Sequence, residues 1–309
     1  MTAVGLNLKR FSWRQLVCCL VLLMAPMATT LAQTPPLQAA GYNLVFSVNF
    51  TTAQGGSPSY QPFNVSPDGL GSYSWYNPGI WYEEAAPYAN ISPVMYTPPS
   101  GTPTPAVELL WTEGQQGGTA CDTTISTLSL LDQDGSAFYR GWHYGYFEIS
   151  MAWDPVTGSW PALWMVPVED ELFPGPQQEE GELDIFEGQG SSPTTYYGTI
   201  HDWGVGGVNL GSNSPNSYKM PTGTNVAQFH TYGVLWVPGK VSWYFDNKLL
   251  NSATAFPIFD DTSQLYYLML GSQEGASFSY CNMRRVTATS IWMYVRWVHV
   301  WQLPNGIQN

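Results

Sequence analysis

The chain has 309 residues, of which 11% are charged and 15% aromatic, and its 23 acidic residues outnumber ten basic ones for a formal net charge of −13. An acidic body of this kind repels nucleic acid and anionic membrane surfaces, so neither is expected as a partner. The length suits one large domain, and no internal repeat is visible.

Taken in chain order, residues 1–32 read as a targeting segment. Lys9, Arg10 and Arg14 precede a short apolar core at 16–24, and Thr30-Leu31-Ala32 offers a small-residue cleavage site. The core is short and interrupted by Pro26, which argues against a membrane span. A secreted or periplasmic protein is therefore expected, with Cys18 and Cys19 lost at cleavage. That cleavage leaves seven basic residues against 23 acidic and a net charge of −16. Residues 33–41 form a short linker in this reading. Two cysteines remain, Cys121 and Cys281. In an oxidising compartment they are expected to form one disulfide, two buried thiols being the alternative.

Helical periodicity is nearly absent. Strand-like runs recur at 107–111, 145–153, 196–201, 230–237, 241–245 and 292–301. In 230–237, Thr231, Leu235 and Val237 oppose His230, Tyr232, Val234 and Trp236. Asp246-Asn247 signals a hairpin turn between two such runs. With 30 glycines and 24 prolines punctuating the links, the pattern predicts an all-β, two-sheet sandwich of the jelly-roll kind.

One run stands apart. Glu182-Leu183-Asp184-Ile185-Phe186-Glu187 sets three acids in an otherwise apolar strand, and acids are seldom buried without compensation. Side chains alternate along a strand, so Glu182 and Asp184 share a face and Glu187 falls on the other. One extra residue at Ile185-Phe186, a β-bulge, returns Glu187 to their face. Gly181 and Gly188 bracket the run, as expected where a strand bends or a ligand comes close. Two carboxyl groups about 5–5.5 Å apart serve a retaining glycosidase. The alternatives are a solubilising edge strand or a metal site, although hard cations want six or more oxygens. Just upstream, Trp160 and Trp164 in Ser159-Trp160-Pro161-Ala162-Leu163-Trp164 offer flat aromatic walls suited to the C–H faces of sugars. The long acidic loop at 168–181, with Glu169, Asp170, Glu171, Glu179 and Glu180, reads as a solvated loop rather than a cleft rim. No Gly-x-Ser-x-Gly elbow, His-Glu-x-x-His, Cys-x-x-Cys or phosphate-cradling loop occurs.

Glu182 to Glu187 resembles the Glu-x-Asp-x-x-Glu signature of glycoside hydrolase family 16 in its bulged, laminarinase-like form. Tyr144-Gly145-Tyr146-Phe147-Glu148-Ile149, Trp160-Pro161-Ala162-Leu163-Trp164 and Gly198-Thr199-Ile200-His201 are similar to the segments flanking that signature. Phe229-His230-Thr231-Tyr232, Trp236, Trp243-Tyr244-Phe245-Asp246 and Met293-Tyr294-Val295-Arg296-Trp297-Val298 resemble its later strands. The resemblance covers 42–303 as one catalytic domain, leaving 304–309 as a tail. It implies a concanavalin A-like jelly roll with a concave sugar cleft. Glu182 would be the nucleophile, Glu187 the general acid/base, and Asp184 the residue tuning the nucleophile, with His201 a hydrogen-bond partner in the cleft. It further implies a monomeric retaining endo-β-glycosidase with no cofactor, acting on a β-1,3- or mixed-linkage glucan. A β-galactan substrate, transglycosylation and a non-catalytic sugar-binding protein stay open. Members often hold a structural calcium through an acid near the first strand and an Asp in the last; here Asn49 and Arg296 hold those places, and no metal is expected.

Overall fold

The computed structural model describes residues 36–49, 63–65, 73–76, 91–112, 122–131, 137–138, 141–168, 178–213, 217–274 and 290–308. Their strands form two sheets, all of whose pairs are antiparallel. The first holds β1 (Asn43–Asn49), β4 (Ile91–Tyr96), β5 (Thr104–Thr112), β9 (Gly145–Trp153), β15 (His230–Val237), β16 (Lys240–Phe245), β17 (Lys248–Thr254) and β19 (Ser290–Gln302). Its order is β17-β16-β15-β9-β19-β5-β4, with β1 also on β19.

The second holds β2 (Phe63–Val65), β3 (Tyr73–Tyr76), β6 (Asp122–Leu131), β7 (Ala137–Phe138), β8 (Trp142–His143), β10 (Ser159–Pro167), β11 (Glu180–Glu187), β12 (Thr195–Gly204), β13 (Val208–Asn213), β14 (Tyr218–Lys219), β18 (Tyr266–Glu274) and β20 (Ile307–Gln308). Its main path runs β13-β12-β11-β10-β18-β6-β3-β2. Neighbours distant in sequence, such as β9 between β15 and β19, give the crossed connections of a jelly roll.

Burial follows the period-two pattern of the sequence. In β15, Tyr232, Val234 and Trp236 are fully buried, while Thr231, Leu235 and Val237 are half-buried. One apolar core lies between the sheets. Phe147, Ile149, Met151, Val298 and Val300 come from the first, and Leu163, Met165, Leu183, Ile185, Phe186, Ile200, Leu268 and Leu270 from the second. Within the first sheet's share of that core, Trp153 Nε1 of β9 donates to the Tyr232 hydroxyl of the adjacent β15 at 3.1 Å, satisfying a polar group that burial would otherwise penalise. The β16–β17 turn has Asp246 and Asn247 at φ 47° and 62°, the two left-handed positions of a type I′ hairpin. Asp246 also accepts from Thr231 N at 2.9 Å and contacts His230 Nδ1 at 2.8 Å, tying the turn to β15.

Three boundary expectations change. Within the segment expected as a linker, Leu37–Ala39 form a 3₁₀ turn whose Ala39 is fully buried against Tyr146 and Trp301. In the expected tail, Ile307–Gln308 pair with β8, because the chain turns back after Gln302 and finds an open edge. The 168–181 loop ends sooner than its polarity implied: Glu180 and Gly181 already belong to β11 and are buried, while Glu179 is exposed. Glu169, Asp170 and Glu171 lie outside the described residues, as do Cys121 and Cys281. At the places considered for calcium, Asn49 pairs through its backbone with Trp297, and the neighbouring Arg296 guanidinium sits 5.3 Å from the Phe229 ring centre. A fixed positive charge there does not fit a divalent cation. No group of three or more His, Cys, Asp or Glu that could hold a metal occurs among the described residues.

Candidate active site

The acidic strand β11 lies between β10 and β12, and the pairing on both sides slips at the same place. Against β12, Glu182 faces His201, Asp184 faces Thr199, and Glu187 faces Tyr197, so β11 spends three residues where β12 spends two. Against β10, Asp184 faces Trp164 while Phe186 and Glu187 face Leu163 and Ala162. Ile185 and Phe186 therefore both point into the core, and both are fully buried. The bulge turns Glu187 back onto the face of Glu182 and Asp184, as the spacing predicts.

A bulge disturbs ladder bonds, and buried carbonyls need partners. Here side chains supply them. Trp243 Nε1 donates to the Asp184 carbonyl at 2.9 Å, and the Tyr196 hydroxyl donates to the Ile185 carbonyl. Gly198 makes room for the first of these: a Cβ there would lie 2.3 Å from Trp243 Nε1. Gly188 is similarly confined by Pro161, Phe186 and Trp153, and its N–H donates to the Pro161 carbonyl at 2.9 Å.

The acids face away from the other sheet, yet they are not freely solvated. Beside them on the same face, Ala162, Trp164, Val166, Tyr267 and Met269 form a second buried apolar cluster. Asp184, flanked by Trp164 and Thr199, is 4% exposed. Burial raises its carboxyl from 3.8 to about 7. Glu187 is pushed well above the ordinary glutamate value, by burial first and then by the charges of Asp184 and Glu182. The Trp160 indole N–H, 2.9 Å from Glu187 Oε1, and His201 pull in the opposite direction. At neutral pH the face thus holds an acid able to give up a proton beside other carboxyl groups.

The structure gathers most of the singled-out residues. Glu182, Asp184, Glu187, Trp160 and His201 share this face. His201 Nε2 lies 3.1 Å from Asp184 Oδ2, and its Nδ1 lies 2.7 Å from Ser212 Oγ on β13. Trp160 is half-buried, whereas Trp164 is 5% exposed and forms the floor. Trp203 went unnoticed: its Nε1 donates to Glu182 Oε2 at 2.7 Å. The signal was available, because Trp203 follows His201 by two on a strand and must share its face. A cavity of about 520 Å³ elsewhere is lined by Tyr42, Tyr144, Val237, Pro238, Leu303 and Pro304. It has no carboxylate in its wall, so the chemistry points to β11 instead.

Residues 106–258 match the model of glycosyl hydrolases family 16. The chain belongs to that family. It is 33% identical over 108 residues to a "Beta-glucanase" of Rhodothermus marinus, covering 35% of this chain and 37% of that protein. It is 35% identical over 112 residues to "Glucan endo-1,3-beta-glucosidase A1" of Niallia circulans, covering 36% of this chain and 16% of that one. The chain thus spans well under half the length of these curated relatives. The solved laminarinase of R. marinus superposes with a TM-score of 0.57 at 20% identity, over 86% of this chain and 98% of that one, a likeness of fold.

Proposed function

We propose that this family 16 chain is a secreted, retaining endo-β-glycosidase that hydrolyses a β-1,3- or mixed-linkage glucan. The observation that carries this is the bulge at Ile185-Phe186, which sets Glu182 and Glu187 on one face, where burial and the neighbouring carboxylates push the Glu187 carboxyl well above the ordinary glutamate value. Relatives named for glucan cleavage support the substrate class. The leader-like residues 1–32 support export.

In this mechanism Glu187 gives its proton to the glycosidic oxygen as the C–O bond breaks, and a Glu182 oxygen bonds to the anomeric carbon from the other side. The reducing-side chain departs as an alcohol. Water then enters, Glu187 takes one of its protons, and the remaining hydroxyl displaces Glu182 from the ester. One water is consumed, one glycosidic bond is cleaved, and two inversions leave the anomeric configuration unchanged. Asp184, held by His201, shares the face between the two glutamates and restrains how many charges it carries. Trp160 combines two roles, a ring for the sugar face and an N–H for Glu187.

A reducing-sugar assay on laminarin, lichenan, agarose and xyloglucan tests the proposal. Release from laminarin or lichenan is expected, falling by several orders of magnitude in Glu182→Ala and Glu187→Ala with the unfolding transition retained. Full activity in either variant, or activity on agarose alone, would overturn it.

A further inference from the structure

We propose that Trp203 is a positioning residue for Glu182, held in place by the β12–β13 hairpin, and this rests on the reading of Glu182 as nucleophile. The Trp203 indole N–H meets Glu182 Oε2 at 2.7 Å, the short distance of a charge-assisted bond. Its ring lies against His201, with centroids 5.2 Å apart and planes 20° from parallel. His201 is fixed in turn by Ser212, and Asn209 Nδ2 donates to the same Ser212 hydroxyl at 3.1 Å. Register places Trp203 opposite Asn209 and His201 opposite Ser212, so one hairpin carries the whole assembly. Gly206 and Gly207, at φ 75° and 74°, close its turn in the left-handed region.

The chemistry gives such a donor two tasks. Bound to one carboxylate oxygen, it favours the ionised form and aims the other oxygen at the anomeric carbon. When the ester forms, Glu182 loses its charge and the bond weakens. When water attacks, Glu182 leaves as a carboxylate and regains the bond, so the donor stabilises the departing group. Among the described residues, the charged and titratable neighbours on this face are Glu180, Asp184 and Glu187 of β11 and His201 of β12; β10 offers Trp164 and Val166, neither charged. Trp203→Phe alters no charged group of this set; it removes the N–H and keeps a smaller ring against His201.

The test is a pH profile of kcat/KM and kcat for wild type, Trp203→Phe and Glu182→Gln on the best polysaccharide of the panel. For Trp203→Phe, the acid limb is expected to move up by about one pH unit or more, and kcat to fall roughly 10- to 100-fold, the range of a hydrogen bond to a charged group. An unmoved acid limb would overturn the positioning role even if kcat fell, because a sugar platform or a structural ring would lower activity without changing the Glu182 titration. Glu182→Gln separates the two levels. Activity in it removes the nucleophile assignment itself, whereas an inactive Glu182→Gln beside an unmoved Trp203→Phe limb removes only the positioning role. If Trp203→Phe lacks a cooperative unfolding transition, Trp203→Met, which fills part of the ring's volume and has no N–H or O–H to donate, is read by the same criterion.

Discussion

Replacing Asp184 by Asn is expected to make the protein more stable at neutral pH while impairing its chemistry. The Asp184 carboxyl is almost wholly buried between Trp164 and Thr199, and burial lifts it from 3.8 to about 7. The sign follows from proton counting. Between those two values the unfolded chain has lost the Asp184 proton and the folded chain retains it, so raising pH favours unfolding. The stability is present below the unfolded value and is lost as pH climbs towards the folded one. A difference of roughly three units at 1.36 kcal/mol each gives a loss of about 4 kcal/mol by pH 7. Asn has no proton to lose and can still accept from His201 through its amide oxygen. Guanidinium unfolding at pH 4 and pH 7 reads the effect. The two proteins should differ little at pH 4, and the variant should gain several kcal/mol relative to wild type by pH 7. A gap that is constant with pH, or that favours wild type increasingly as pH rises, would refute the burial argument.

Trp160→Phe removes the indole N–H that holds the Glu187 titration down. Its basic limb in kcat/KM should therefore move to higher pH, by roughly one to two units for a hydrogen bond to a charged group; a downward shift would contradict the assignment. Gly198→Ala puts a methyl group 2.3 Å from Trp243 Nε1. It should displace the indole from the Asp184 carbonyl, cost roughly 1–3 kcal/mol in denaturant unfolding, and lower kcat by disturbing the bulge. A fully stable, fully active Gly198→Ala would mean that the Trp243 bond does not shape the strand.

Much of this was legible in the chain itself. The period-two alternation of 230–237 matches β15, and Asp246-Asn247 forms the left-handed turn that its residue types favour. The bulge was also readable, because only an extra residue reconciles three acids at those spacings with one face. Less accessible was what surrounds the acids. The apolar cluster of Trp164, Val166, Tyr267 and Met269 joins two strands about a hundred residues apart in sequence, and its burial of Asp184 follows from pairing rather than local pattern. The carbonyl partners Trp243 and Tyr196 were hidden for the same reason: a tryptophan in a sandwich reads as core until the register shows which backbone oxygen it meets. Segment ends misled where tertiary pairing took over short polar stretches, as at Ile307–Gln308.

The stereochemistry of cleavage tests the central claim most directly. Proton NMR of the earliest products from laminarin or lichenan distinguishes the new reducing ends before they mutarotate. Two carboxyl groups acting on one face through a covalent ester predict the β anomer first. An initial α anomer would mean that water attacks directly, and that Glu182 is not the group bonding to the sugar.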